Sequence, residues 1–411
     1  MYEKRRKQIL KHMEKGSFAV FSSGFSPKKS LDQEYPYFVN RNFYYLTGID
    51  QANSYLCLIK GVMEKTILFV EKRTPERMLW DGVVLTFEEA KEISNVDVVM
   101  PNTSLDMFIS SILSSTRAAS YGALDNVYFD FQGNFKVREF AEEYSEKLKV
   151  NYPYLKHHNL NALLSSLRSI KDKEEIKRMK EAIKITDEGI KLMMKNAKPG
   201  MVEHELEAYF EFTLKKHGVT TSFDTIAASG PNGCILHYSD NNRKTLDGEL
   251  ILFDLGAYKD NYASDISRTF PLNGKFTELQ KKYYDIVLDC NKKCILFAKP
   301  GVTWKELNDY AKDILSEGLI KLGKIKEKEE LVKYYYHSVG HYLGLDVHDV
   351  GPYTEALKEG QVITIEPGLY IAEDNIGIRI EDNILLTKEG NINLSKDIIK
   401  EIKDIETFMK N

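Results

Sequence analysis

The sequence predicts two domains of different class: an α/β N-terminal domain over residues 1–165 and an α+β C-terminal domain over residues 166–411 that contains an internal pseudo-twofold repeat. Three observations lead there. A chain of 411 residues is longer than one hydrophobic core usually supports. Before residue 165, short apolar runs alternate with helix-like segments. After it, a helix, helix, hairpin unit occurs twice, in phase.

In the first domain the runs Ser17–Phe21, Ser54–Ile59 and Thr66–Val70 read as buried strands. Thr86–Ile93 and the segment around Val137–Tyr144 read as helices. The aromatic-rich stretch Tyr35–Gly48 is read as core packing and turn chemistry, and Trp80, before Asp81-Gly82, as a packed or a contact residue. No catalytic constellation stands out here. The charged run from Lys171 opens a long amphipathic helix and places the boundary near Ser165–Lys171. Ile176, Met179, Ala182, Ile183, Thr186, Ile190 and Met193 recur at helical spacing until Pro199-Gly200 stops the helix.

The repeat is visible by eye. Ala197-Lys-Pro-Gly-Met-Val-Glu-His-Glu-Leu-Glu-Ala-Tyr209 aligns without gaps on Ala298-Lys-Pro-Gly-Val-Thr-Trp-Lys-Glu-Leu-Asn-Asp-Tyr310. Each copy runs on to a histidine segment and then to a hairpin-like stretch, Ile251–Phe270 in the first and Gln361–Glu381 in the second. A two-residue loop at Lys259-Asp260 sets Asp254 opposite Asp265, and one at Glu373-Asp374 sets Glu366 opposite Glu381. Opposed residues have Cβ atoms ~5 Å apart, where like charges repel. A cation between them is the commonest reason a fold keeps such a pair.

Composition narrows the function. With 43% hydrophobic and 29% charged residues and a formal net charge of −4, this is an ordinary globular chain, not a nucleic-acid or polybasic membrane binder. The basic N-terminus is followed by no apolar signal core, and no uncharged run is long enough to span a bilayer, so a cytoplasmic location is expected. Four cysteines suit a reducing compartment; Cys290 and Cys294, four apart on a predicted helix, read as buried thiols.

Histidines indicate what the carboxylates are for. His337, His341 and His348 crowd into Tyr336–His348 among glycines. The His337/His341 spacing lacks the glutamate of a His-Glu-x-x-His zinc helix, since Ser338 follows His337. Four carboxylates with one imidazole suit Mn(II), Fe(II), Co(II) or Zn(II). That is too many ligands for one small cation and suits two ions ~3.5–4 Å apart, a pair that activates water for hydrolysis.

The contexts Phe-Asp254-Leu-Gly-Ala, Ser-Asp265-Ile-Ser-Arg-Thr-Phe-Pro, Gly-His341-Tyr-Leu-Gly-Leu-Asp-Val-His348-Asp, Thr-Ile-Glu366-Pro-Gly-Leu-Tyr370 and Arg379-Ile-Glu381-Asp-Asn together resemble the pita-bread metallopeptidases, aminopeptidase P and prolidase above all. Asn42-Phe-Tyr-Tyr-Leu-Thr-Gly48 resembles the N-terminal domain of aminopeptidase P and extends the likeness over nearly the whole chain. The resemblance implies a pita-bread C-terminal catalytic domain, two divalent ions per subunit (Mn2+ first, with Co2+, Zn2+ or Fe2+ as alternatives), and release of the N-terminal residue from peptides with proline second. It implies Asp254 and Asp265 on one ion, His341 and Glu366 on the other, and Asp265 and Glu381 bridging, with Glu366 also the proton carrier. His237 and His348 correspond to histidines near the substrate, His337 and Tyr370 to proline-pocket residues, and Arg379 to a group that orients Glu381 or meets the peptide. Trp80 resembles a tryptophan that reaches a neighbouring subunit's site in related oligomers, which implies a homodimer or homotetramer.

Other members of this family remain as readings. Prolidase shares every metal ligand; methionine aminopeptidase usually lacks the N-terminal domain, and creatinase-like enzymes do not need the full ligand set. Scaffold proteins of this fold typically lose ligands, and all five are present here. The short interval from Glu366 to Glu381 lacks an insert that some aminopeptidases P carry, which implies a more open pocket mouth.

Overall fold

The computed structural model describes residues 1–114, 120–133 and 138–410. The chain divides into two compact units, Met1–Ser165 and Ser166–Asn411. The first contains α1 (Tyr2–His12), β1 (Ser17–Ser22), α2 (Arg41–Thr47), β2 (Tyr55–Lys60), β3 (Glu64–Val70), α3 (Pro75–Asp81), α4 (Phe87–Ser94), β4 (Val98–Pro101), α5 (Leu105–Leu113), β5 (Asn126–Phe129), α6 (Phe140–Asn151) and β6 (Lys156–Asn159), and α7 (Asn161–Ser169) runs through the division. Its six strands form one mixed sheet in the order β4-β3-β2-β1-β5-β6. The three apolar runs are β1, β2 and β3, paired antiparallel, with β4 and β5 added parallel. Phe18, Val20, Cys57, Ile59, Ile67, Phe69, Val127 and Phe129 bury one face against α5 and α6 through Ile109, Tyr144 and Leu148.

Local chemistry starts these helices where the sequence suggests. Thr86 caps α4 in a capping box with Glu89. Val137 lies outside the described residues, and the helix expected there begins at Phe140. The aromatic stretch behaves in two ways. Phe43, Tyr44 and Tyr45 are buried on α2, which Asn40 caps and Gly48 ends in the left-handed region, whereas Tyr35 and Phe38 are exposed. Trp80 is not packed: on α3 it is 88% exposed.

The second unit opens with α8 (Lys173–Asn196), capped by Asp172, and α9 (Glu203–His217). Then come β7 (Thr220–Thr221), β8 (Ile226–Ser229), β9 (Leu250–Leu255), β10 (Ala257–Lys259), β11 (Tyr262–Ala263) and β12 (Ile266–Pro271). The second copy supplies α10 (Glu278–Phe297), α11 (Trp304–Lys321), β13 (Val362–Ile365), β14 (Gly368–Ile371), β15 (Ile376–Arg379), β16 (Asp382–Thr387) and β17 (Gly390–Asn393), and α12 (Ile402–Lys410) closes the chain. The helix pairs α8/α9 and α10/α11 each pack together, and both share one apolar core with the hairpins. The duplicated Ala-Lys-Pro-Gly motif does the same job twice: Gly200 N donates to Thr245 O and Gly301 N to Leu357 O, tying each helix break to its own half. Cys290 and Cys294 are buried free thiols in this core.

The two hairpins differ in how they meet their expected registers. In the second, Gly368 pairs with Arg379 and Ile365 with Asp382, so Glu366 and Glu381 lie in register as expected; the tip is longer than two residues, running through Ala372–Asp374 to a left-handed Asn375. In the first, the turn residues are Asp260 and Asn261, both at positive φ, as a type I′ turn requires. Lys259 therefore faces Tyr262, and Asp254 faces Ser267 rather than Asp265. Because the partner moves by two residues and side chains alternate with period two, Asp265 stays on the same face, as the diagonal neighbour of Asp254.

Behind the hairpins sits a buried ion cluster. Asp382 is fully buried, with Arg268 Nη2 at 2.9 Å and Lys400 as second partner. Burial pushes the Asp382 carboxyl up, and the attraction of Arg268 and Lys400 outweighs it, bringing the pKa from 3.8 down to about 2. Burial, and also repulsion from Arg268, leave Lys400 below its ordinary value in spite of the same carboxylate. A depressed carboxylate adds stability above its unfolded pKa and loses it as pH falls through the folded value. In chelator, the stability of the parent should therefore drop by roughly 2 kcal/mol from this group between about pH 4 and pH 2. Urea titrations should show a flatter profile over that window for Asp382→Asn; an unchanged slope would remove Asp382 from the account.

Candidate metal centre and active site

The elements above bring five groups from separate parts of the chain together. Asp254 lies near the end of β9 and Asp265 just before β12; Asn383 accepts from Asp265 N and donates to Asp265 O, which fixes that backbone. Glu366 follows β13, and Glu381 sits between β15 and β16 with its side chain fully buried. His341 lies in the irregular segment between Tyr336 and Gln361, held by Thr364 Oγ1, which accepts from His341 N at 3.0 Å. Glycine allows the approach: a Cβ on Gly340 would stand 2.0 Å from Thr364 O, and one on Gly344 2.1 Å from Asp349 Oδ2.

The imidazole is oriented. Its Nδ1 lies 2.9 Å from Tyr342 O, a carbonyl that can only accept, so Nδ1 carries the proton and Nε2 presents a lone pair. Nε2 stands 3.3 Å from Asp265 Oδ2 and 3.4 Å from Glu366 Oε1. Ligand atoms of Asp265, His341 and Glu381 all lie within 4.8 Å of one another, the one such group of three or more among the described residues.

Three carboxylates each keep one oxygen without a donor, and in two of them the other oxygen is satisfied. Asp254 Oδ2 accepts from Arg379 Nη2 at 2.7 Å and Glu381 Oε2 accepts from Ser267 Oγ at 2.8 Å, while Asp254 Oδ1, Asp265 Oδ1 and Glu381 Oε1 are buried with no hydrogen-bond partner. Native proteins pair such atoms, and an unpaired buried acceptor costs about 1–3 kcal/mol. Three of them in one cluster fit a site built for cations. The electrostatics agree. Burial, then Asp254 and Glu366, push Asp265 well above the usual carboxylate range; burial, then Asp265 and Glu366, do the same to Glu381.

A second layer surrounds this set. Arg379 Nε donates to Ser267 Oγ at 2.8 Å and Nη1 to Tyr370 Oη at 3.0 Å. Burial opposes its charge, and Tyr370 and Asp254 outweigh that, holding the guanidinium well above its ordinary value. Arg379, expected to orient Glu381 or to meet the peptide, pairs with Asp254 and is linked to Glu381 through Ser267. His337 Nδ1 faces Ser338 O, so Nε2 accepts from Tyr370 Oη at 2.8 Å, completing a relay from Arg379 through Tyr370 to His337.

The His348 ring lies 4.0 Å from that of His341. Burial, then His341, lower its pKa, and His237 is an exposed residue in the segment between β8 and β9. Trp80 belongs to the other unit.

Several contributing residues escaped the reading of the sequence. Ser267 and Thr364 lie two positions from Asp265 and Glu366, on the same strand face, so strand periodicity could have found them. Glu203 and Asp349 offered no such signal. The buried Glu203 accepts from Ser229, Asn232, Tyr238 and Arg243, bracing the loop that carries His237. Asp349, buried beside His348, is held ionised by Lys171 at 3.0 Å and by Arg168, which outweigh its burial. No helix of the described residues is long and apolar enough to cross a membrane.

Comparison with known proteins places this geometry. The Xaa-Pro aminopeptidases of Haemophilus influenzae and Escherichia coli are 35% and 34% identical to this chain, each alignment covering 99% of it and 96% and 97% of the relative. Among solved structures, a candidate aminopeptidase P from Bacillus anthracis superposes with a TM-score of 0.95 at 43% identity over 100% of this chain and 97% of that one. Escherichia coli aminopeptidase P with the inhibitor Pro-Leu superposes at 0.91 and 34%, again over 100% and 97%, and a zinc-substituted form of it has been solved with product. The shared architecture is an N-terminal domain followed by a pita-bread domain. The sequence profile of the aminopeptidase P N-terminal domain matches residues 2–121, and that of metallopeptidase family M24 matches residues 177–388. Through that second match, which spans more than half of the sequence and contains all five converging ligand candidates, this chain belongs to metallopeptidase family M24.

Proposed function

We propose that this chain is an Xaa-Pro aminopeptidase working with two divalent ions, Mn2+ first among them, and that it removes the N-terminal residue from peptides with proline in second position. The observation that carries the reading is the set of buried carboxylate oxygens without donors around the Nε2 lone pair of His341. Asp254 and Asp265 would hold one ion, His341 and Glu366 the other, and Asp265 and Glu381 would bridge. Such an ion pair supplies Lewis acidity and lowers the pKa of water so that a nucleophile exists near neutral pH.

The chain's own residues do the rest. Glu366 keeps 17% of its side chain accessible and accepts from Thr364 Oγ1, so it can take the nucleophile's proton and pass it to the proline nitrogen as the amide C–N bond breaks. His348, neutral at pH 7 because its pKa is lowered, can donate a hydrogen bond to the developing oxyanion, and His237 is assigned to help hold the peptide backbone. Tyr370 is fixed between Arg379 and His337, and its ring lies 5.5 Å from that of Tyr336, giving a rigid aromatic wall for the proline ring. Trp80 is assigned to a neighbouring copy's site in a homodimer or homotetramer, its exposure leaving it available for that contact. A cytoplasmic enzyme fits the reading.

The similarity of residues 2–121 to the aminopeptidase P N-terminal domain favours this activity over prolidase. Comparing hydrolysis of X-Pro, X-Pro-Y and longer peptides tests it: X-Pro-Y should be cleaved after X, and exclusive cleavage of X-Pro would make the protein a prolidase. Glu366→Ala should lower kcat by about 10²–10⁴-fold, and His341→Ala should abolish turnover, with the N-terminal domain still folded by circular dichroism. Full activity in either variant would refute its role.

Uptake of Mn2+ by chelator-stripped protein should reach two ions per chain. Because Asp265 and Glu381 bind protons more tightly than ordinary carboxylates, ions must displace protons there, so affinity should fall as pH falls. Calorimetry in buffers of differing ionisation enthalpy should register the released protons; uptake without release would contradict the electrostatics.

A further inference from the structure

In the second hairpin the ladder is interrupted between the pairs Ile365–Asp382 and Gly368–Arg379, and the two glutamates lie in that gap. Their backbones have left each other: Glu366 N donates to Val339 O at 2.8 Å, and Glu381 N to Ser267 O at 3.1 Å. Each N–H belongs to a planar peptide unit whose other end is a carbonyl, that of Ile365 in one case and Ile380 in the other. Both carbonyls accept from the same atom, Asn291 Nδ2, at 3.0 and 3.1 Å.

Asn291 lies in α10 and is fully buried. Its Oδ1 accepts from Lys400 Nζ at 2.8 Å, which identifies the oxygen and leaves both amide hydrogens for the carbonyls. One NH2 group thus ties the peptide plane entering Glu366 to the plane entering Glu381. The fixed angle between its two hydrogens holds the carbonyl oxygens about 5 Å apart. Lys400 in turn contacts Asp382, the residue after Glu381, so the amide cannot rotate without loosening the buried ion cluster.

We propose that Asn291 is a positioning residue for the metal centre, setting the separation of Glu366 and Glu381 by clamping their two peptide planes. The inference rests on the two-ion reading above, and nothing in Asn291 touches an ion or substrate. Groups that orient metal ligands typically change affinity or activity by about 10–100-fold when lost.

The test is calorimetric titration of the chelator-stripped full chain with Mn2+. Asn291→Leu keeps the volume and removes both donors, and should bind Mn2+ about 10–100-fold more weakly. Its kcat for an X-Pro-Y tripeptide should fall while KM changes little, because the substrate wall of Tyr370 and His337 is untouched. Asn291→Gln retains an amide and should recover part of the affinity, an ordering that a purely space-filling role would not produce. Leucine and parent binding alike, or glutamine as weak as leucine, would overturn the clamp. If the leucine variant does not fold, Lys400→Met carries the test: it frees the amide to rotate and should weaken Mn2+ in the same sense, while unchanged affinity would overturn the proposal. A parent that takes up no ion overturns the two-ion reading along with it, whereas a parent that takes up two and is matched by the leucine variant overturns the clamp alone.

Discussion

Mutual repulsion among carboxylates that the fold withdraws from water is the constraint around which the second unit is built. Burial, and then the negative charge of the neighbouring carboxylates, raise the proton affinity of Asp265 and Glu381. Left alone, such a cluster takes up protons; offered divalent ions, it exchanges them. The hydrogen bonds around it serve this end, since Arg379, Ser267 and Thr364 each satisfy one side of a carboxylate and leave the other side open. The tautomer of His341 follows the same logic, because a carbonyl behind Nδ1 turns the lone pair of Nε2 toward the acids.

Duplication explains how four acids arrive from two hairpins, and the departures from symmetry explain what each half contributes. Glu203 and Trp304 occupy the same place in the two copies, at the first turn of the helix after Ala-Lys-Pro-Gly. Glu203 braces its loop by hydrogen bonds and so steadies the segment holding His237. Trp304 packs against Tyr342 and Tyr353, steadying the segment that holds His341 and His348 by ring contacts. The same position therefore supports histidine-bearing loops by different chemistry, polar in one half and aromatic in the other. The Arg379, Tyr370 and His337 relay is built from residues of the second copy.

Much of the fold was legible because it depends on local period. Strands β1, β2 and β3 are apolar runs, α4 is a helix-like segment, and α8 announces itself by its apolar stripe. The hairpins show where locality stops. The second kept its expected register, while the first shifted because left-handed Asp260 and Asn261, rather than Lys259 and Asp260, form its turn. That error did little harm to the site, since a shift by two residues leaves a side chain on its face. The partner of Arg379 could not be read locally either, since its guanidinium crosses to Asp254 on the other hairpin.

Alone, the amino-acid sequence determined the two domain classes, the duplicated unit and the acids and histidines set in it, since these follow from apolar periodicity, helix punctuation and motifs within a few residues of one another. Only the tertiary structure decided which oxygens remain without donors, which imidazole nitrogen is free and which distant groups, such as Arg168, Lys171 and Asn291, support the site. The distant supports depend on contacts between residues 74 to 181 positions apart, made when whole elements pack, and no local pattern encodes them.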